Sequence, residues 1–184
     1  MNRILVALLA FLLLFISACR EDDITGIVKR CNETNANLHS FTSKTIDLTG
    51  VTTEGGSITG YFNKKNELVM ATVASYGQSG RAVQDYYYDD DKVECVIRQD
   101  YTYNKPMYYT DAMAKDDGDT SGHGGYDDSK TILKTSRFYF YNDNMVKWYD
   151  TSNKLVPDND RKYQFQAGMI LDEADKLQRM LKPR

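Results

Sequence analysis

The chain has 184 residues, with 23 Lys and Arg against 26 Asp and Glu and a formal net charge of -3. Mild acidity with the two signs interspersed argues against nucleic acid, which needs a basic face, and against electrostatic adhesion to anionic lipid. The length suits one domain that buries a core without a structural metal or a dense set of disulfides.

Arg3 precedes an unbroken apolar run, Ile4 to Ile16, and the small residues Ser17 and Ala18 lead into Cys19. That order of charge, apolar core and small residues is the one a secretory signal requires. The run is 13 residues long, shorter than the ~20 that cross a bilayer's hydrocarbon core, and a single-pass anchor is the alternative reading. Ile16-Ser17-Ala18-Cys19 resembles the lipobox of bacterial lipoproteins. The resemblance covers about a tenth of the chain. It implies removal of residues 1–18, a diacylglyceryl group on the Cys19 thiol and, commonly, acylation of the new amino terminus.

Such an anchor attaches the domain without an amphipathic helix, since each buried methylene contributes ~0.8 kcal/mol and two or more chains hold stably. The implied location is the bacterial cell envelope, with the membrane as the first partner. Arg20 stands where an aspartate would resemble an inner-membrane retention signal, which points to the outer membrane rather than the inner. Glu21-Asp22-Asp23 resembles the acidic surface-export tags of some lipoproteins, and also reads as the end of a solvated tether over 19–23.

Two cysteines remain, Cys31 and Cys95. An oxidising compartment favours a disulfide between them, closing a loop worth about 4 kcal/mol in the chain-entropy account; two buried thiols are the alternative. Neither has a metal-ligand neighbour at useful spacing. After Asp22 and Asp23 the apolar residues Ile24, Ile27, Val28, Cys31 and Leu38 fall near one helical face. A short helix is expected from about Ile24 to Asn35, with Cys31 on its inner side.

From Lys44 the period becomes two. Strands are expected over Lys44–Leu48, Ser57–Phe62, Glu67–Ser75, Ala82–Tyr88, Lys92–Tyr103, Thr131–Tyr141 and Met145–Tyr149, separated by polar corners. Val93, Cys95 and Ile97 share one face by alternation while Glu94, Arg98 and Asp100 take the other, the pattern of a one-sided sheet. Tyr61-Phe62-Asn63, Tyr87-Tyr88-Asp89 and Phe140-Tyr141-Asn142 each end a strand in aromatics, then give a polar corner and an apolar strand. This reads as one hairpin recipe used three times. The stretch 110–130, rich in Gly and Asp with no apolar period, is expected to be a mobile acidic loop. From Lys162 on, Phe165, Met169, Ala174, Leu177 and Leu181 return to one side of a terminal amphipathic helix, which Lys182 and Arg184 close favourably.

The chain therefore reads as one α+β domain over 24–184. An antiparallel meander of about six to seven strands carries an N-terminal and a C-terminal helix packed on one face.

The chemistry-bearing motifs are few. Asp116-Asp117-Gly118-Asp119 lacks the ligand spacing of a calcium loop, and His123 has only the distant His39 as a fellow histidine. Gly77-Gln78-Ser79-Gly80-Arg81 joins two strands and has arginine where a nucleophile elbow has its second glycine. No cofactor and no metal site is implied. The strongest feature is tyrosine: a binding face of Tyr101, Tyr103, Tyr139, Tyr141 and Trp148 is one reading, ordinary strand formers covering a sheet the other. The expected function is a non-catalytic envelope module holding a protein, peptidoglycan or other glycan. The alternative is an envelope hydrolase with an unrecognised carboxylate site.

Overall fold

The computed structural model describes residues 24–50 and 54–182. The expected signal segment 1–18, the expected lipidated Cys19 and acidic tether over 19–23, and Arg184 lie outside the described residues. The chain divides into two compact units, Met1–His39 and Ser40–Arg184.

In the first unit, helix α1 spans 24–36. Ile27 and Cys31, one helical turn apart, are its buried pair, as the spacing predicts. Val28 is exposed instead. Asn37 ends the helix: its amide nitrogens, side chain and main chain, donate to the Glu33 carbonyl at 2.7 and 3.1 Å.

The second unit is a seven-stranded antiparallel sheet whose spatial order is its sequence order, β1 to β7. The strands are Thr42–Asp47, Gly56–Phe62, Leu68–Gly77, Gly80–Asp89, Lys92–Thr102, Ile132–Tyr141 and Asn144–Tyr149. Each expected strand is present, so the α+β meander with a helix from each end of the chain is the observed fold.

The three similar hairpins share more than their sequence. Register shifts fall at Tyr61/Phe62, Tyr87/Tyr88 and Tyr139/Phe140, in each case just before the corner. The later strand carries one extra residue at each place: Val69, Glu94 and Val146. These are β-bulges, which re-aim the following side chains. The result is one repeated core unit, Phe62 with Leu68, Tyr88 with Val93 and Phe140 with Met145, all on the same face. The bulge corrects the simple alternation of β5. Val93 and Val96 face the core cluster, whereas Cys95 pairs across from Tyr87 on the other face. Nor is the sheet one-sided here, because Tyr86, Tyr87 and Tyr88 are consecutive and all buried.

Two corner types recur along the chain. Asp90-Asp91 and Asn142-Asp143 are two-residue turns with φ of 46 and 62°, and 47 and 60°, the left-handed pair that matches strand twist. The other type spans Asn63–Glu67 and recurs at Asp150–Lys154. In both, the first side chain accepts from the amides two and four residues on, and an asparagine, Asn66 or Asn153, takes positive φ.

Helix α2 is the short Asp111–Asp116 and helix α3 is Arg161–Leu181. Asp160 caps α3 by accepting from the Lys162 amide at 2.9 Å. Its buried stripe is Tyr163, Ala167, Ile170, Ala174, Leu177 and Leu181, in steps of four and three. The expected stripe through Phe165 and Met169 is thereby corrected. They are 71% and 52% exposed, because Tyr163 two residues earlier sets the inner face and two residues rotate a side chain about 200°.

The helix lies across the core face of the sheet. Tyr163 donates its hydroxyl to the Met145 carbonyl at 3.0 Å, and Tyr88 donates to that of Ala174 at 3.1 Å. Lys44 of β1 donates to the Met180 and Leu181 carbonyls at 3.3 and 3.1 Å, a cation on the negative end of the helix. Six α3 side chains are buried there, and each large apolar one stabilises the contact by about 1.5–3 kcal/mol. No helix among the described residues is long and apolar enough to cross a membrane.

Candidate binding surface

The face of the sheet away from α3 is ordered in rows, because directly paired residues of neighbouring strands project to the same side. Near the β3–β4 turn one row runs Tyr76, Arg81, Tyr101 and Leu133, one residue from each of β3 to β6. At a strand spacing of about 4.8 Å such a row is about 14 Å long. Tyr76 is 40% and Leu133 49% exposed, and Tyr101 is half-buried. The Arg81 guanidinium carbon stands 4.3 Å from the Tyr101 ring centroid, a cation–π contact worth about 0.5–1 kcal/mol at an exposed site.

Local sequence explains this placement. The two-residue turn Gln78-Ser79 pairs Gly77 with Gly80, so Tyr76 falls opposite Arg81. At Gly80 a Cβ would meet the Tyr101 carbonyl oxygen at 2.2 Å; glycine lets the strands approach there.

The segment after β5 is seated on the same end of the sheet. The Tyr103 amide donates to Ser79 and the Met107 amide to Gln78, at 3.0 and 3.2 Å. Although 110–130 lacks apolar period, it has structure of its own. Thr110 caps α2, and Asp111 accepts from the Gly125 amide at 2.8 Å. Asn104 clasps the return of the chain, donating to Gly125 O and accepting from the Asp127 amide, both at 3.0 Å. Tyr103 and Tyr126 meet edge to face at 5.4 Å. Four side chains here titrate away from their ordinary values, and one of them, the Tyr126 hydroxyl, is raised by burial and by its hydrogen bond to Asp128. The Tyr109 hydroxyl, donating to the Asp117 carboxylate, is raised. Hydrogen bonds from Ser121 and from Ser129 lower Asp119 and Asp127 respectively.

A second polar group lies on the α3 side. Burial raises the pKa of the Tyr86 hydroxyl, and the Glu173 carboxylate that accepts from it raises it further. Gln84 is a second neighbour at 3.3 Å, and Arg98 is locked onto Asp100 through Nε and Nη2 at 3.0–3.1 Å. Every polar head of this group is matched to another, an arrangement that stabilises the sheet–helix seam. Among the described residues no cluster of three His, Cys, Asp or Glu side chains could hold a metal ion.

The five aromatic residues singled out by sequence do not form one face, and that expectation is corrected. Tyr101 and Tyr103 share the end just described. Tyr139 pairs across from Cys95, six residues along β5 from Tyr101, or about 20 Å away at strand rise. It is buried, edge to face with Tyr149 at 6.3 Å. Tyr141 is exposed at the far hairpin end. Trp148 is on the opposite face, against Phe138 and Tyr163 at 5.4 and 6.3 Å between ring centroids. The reason is register: alternation assigns faces within a strand, but the bulge at Tyr139/Phe140 offsets β7 against β6. Sequence reading missed Tyr76, Arg81, Leu133 and Tyr126, though the glycine pair flanking Gln78-Ser79 carried the signal for the first two. Cys31 in α1 and Cys95 in β5 are both buried. No protein-family model, no curated protein and no solved structure matches the chain.

Proposed function

We propose that this chain is a lipid-anchored binding module of the bacterial cell envelope that holds its partner through the Tyr76–Arg81–Tyr101–Leu133 row. The observation that carries the reading is the row itself. It is a partly exposed strip of two tyrosines and a leucine with a cation stacked over one ring, carried on four hydrogen-bonded strands. Tyrosine gives contact area at little rotamer cost, and its ring suits both a sugar face and a protein surface. The lipobox-like Ile16-Ser17-Ala18-Cys19 supports the anchor, and an oxidising envelope would favour the Cys31–Cys95 bridge as part of the same proposal.

The test is capture from envelope extracts by the wild-type chain and by a Tyr76→Ser, Tyr101→Ser variant of matching thermal stability. Loss of a protein or glycan partner in the variant is expected. Unchanged capture would sink the row, and turnover of labelled envelope glycans by the wild type would replace the reading with a hydrolase. Cys19→Ser tests the anchor separately: the variant should lose acyl mass and detergent partitioning. Alkylation with and without reductant, read by intact mass, tests the bridge.

A further inference from the structure

The meander leaves two edges, and they differ. Beyond β7 the chain returns along the strand: Leu155 bridges Tyr149, and the Val156 amide donates to the Trp148 carbonyl at 2.9 Å. Beyond β1 no strand pairs among the described residues. The β1–β2 register is unbroken, and the Leu48 amide donates inward to Gly56 at 2.9 Å. Hydrogen bonding alternates along an antiparallel strand, so Lys44 and Ile46 also bond inward, and the amides and carbonyls of Ser43, Thr45 and Asp47 point to the open edge.

On the α3 side this edge borders a groove of about 640 Å³ lined by Lys44, Ile46, Lys176, Arg179, Met180 and Lys182. Four of the six are cations and none is acidic. Lys44 is turned into the last carbonyls of α3, and Lys182 pairs with Asp91 at 3.3 Å. Lys176 and Arg179, one turn apart, have no carboxylate within ion-pair distance among the described residues. Edge lysines commonly serve only to block sheet-to-sheet aggregation. Here, however, the edge strand's own lysine is bound to the helix. The unmatched charge comes from α3, above a floor of Ile46 and Met180 that packs against the core.

We infer that β1 is a strand-addition site for an extended acidic peptide segment of a partner protein. The added strand would hydrogen-bond to Ser43, Thr45 and Asp47. Alternate side chains would fall beside Lys44 and Ile46, where carboxylates meet Lys176 and Arg179; the intervening ones would lie beside Ser43, Thr45 and Asp47 on the other face. Main-chain bonds supply affinity and the charged wall supplies selection. A second copy of this chain fits poorly, since antiparallel pairing through β1 would bring two such cation sets together.

The probe is a seven-residue peptide of alternating threonine and glutamate, titrated into the full chain with amide exchange followed by NMR. Exchange at Ser43, Thr45 and Asp47 should slow on binding, while the inward Lys44 and Ile46 amides are protected throughout. Lys176→Glu with Arg179→Glu should raise Kd by about tenfold, the sum of two exposed charge pairs. Thr45→Pro removes one outward donor and keeps the main-chain ladder to β2, giving up only the exposed hydroxyl contact with Thr59 at 3.0 Å, so it should abolish binding with little change in thermal stability. Should that variant unfold, N-methylating alternate amides of the peptide makes the same test on the ligand. Equal affinity for the lysine-for-glutamate peptide, binding indifferent to the main-chain changes, displacement by inorganic phosphate with no change at the three amides, or a dimer through β1 in sedimentation would each overturn the inference.

Discussion

Gly60 in β2 lies directly beneath Leu181 at the end of α3: a Cβ placed on Gly60 would stand 2.9 Å from one Leu181 methyl and 3.0 Å from the other. Leu181 is fully buried, so its methyls have little room to retreat. The helix end thus reaches the sheet only because this position has no side chain. Gly60→Val should cost about 1–3 kcal/mol by overpacking, read as a shift in the urea midpoint. In a Leu181→Ala background the same substitution should cost less, because the two residues share one space.

The corner Asn142-Asp143 holds two non-glycine residues at positive φ. Asn-Gly is the pair that this turn favours most. Asp143→Gly should therefore stabilise the protein by about 0.5–1 kcal/mol, the size of the strain that glycine relieves in the left-handed region. It forfeits the Lys92–Asp143 pair at 2.9 Å, whose partners are both more than half exposed and which contributes little. Asp143→Val should destabilise. Thermal melts of the two variants give opposite signs if the turn is as described.

What was legible in the sequence was whatever repeats locally. Seven strands, their corners and both long helices follow from period and turn residues, and the hairpins at Tyr61-Phe62, Tyr87-Tyr88 and Phe140-Tyr141 were recognisable as relatives, although the bulges show that Tyr139-Phe140 is the true counterpart of the first two pairs. What was hidden was the consequence of one extra residue. Glu94 has no unusual chemistry, yet its insertion puts Val93 and Cys95 on opposite faces. Bulges leave no period of their own, so alternation alone mis-assigned the aromatic face. The same limit applies to 110–130, which is held by side-chain-to-backbone bonds from Asn104, Thr110 and Asp111 instead of by an apolar stripe.

The reassigned face of α3 makes a direct contrast. Phe165 reads as core from composition but points to solvent, and Ile170 is the buried neighbour. Ile170→Ala should cost about 2–5 kcal/mol through lost burial and the cavity left behind. Phe165→Gln should stay within about 0.5 kcal/mol of wild type, as surface changes do. Reversed magnitudes in denaturant titrations would mean that the helix is rotated from the arrangement described.

Asp85 supplies a pH test. Burial raises its carboxyl pKa above the ordinary value, and the hydrogen bond donated by the Thr72 hydroxyl at 2.7 Å only partly opposes this. An acid whose pKa is higher in the folded chain than in the unfolded one costs nothing while both states hold the proton. It costs stability as the pH rises through the folded value, where the unfolded chain ionises more readily. Asp85→Asn keeps an acceptor for Thr72 and cannot ionise. The variant should therefore melt higher than wild type at neutral pH, and the difference should shrink towards zero as the pH falls below the ordinary carboxylate range, near pH ~3. Thr72→Val removes the bond that favours the ionised form, so it should widen the gap at neutral pH between that variant and its own Asp85→Asn derivative. A gap that grows on acidification would show instead that the Asp85 carboxylate is stabilised in the folded chain.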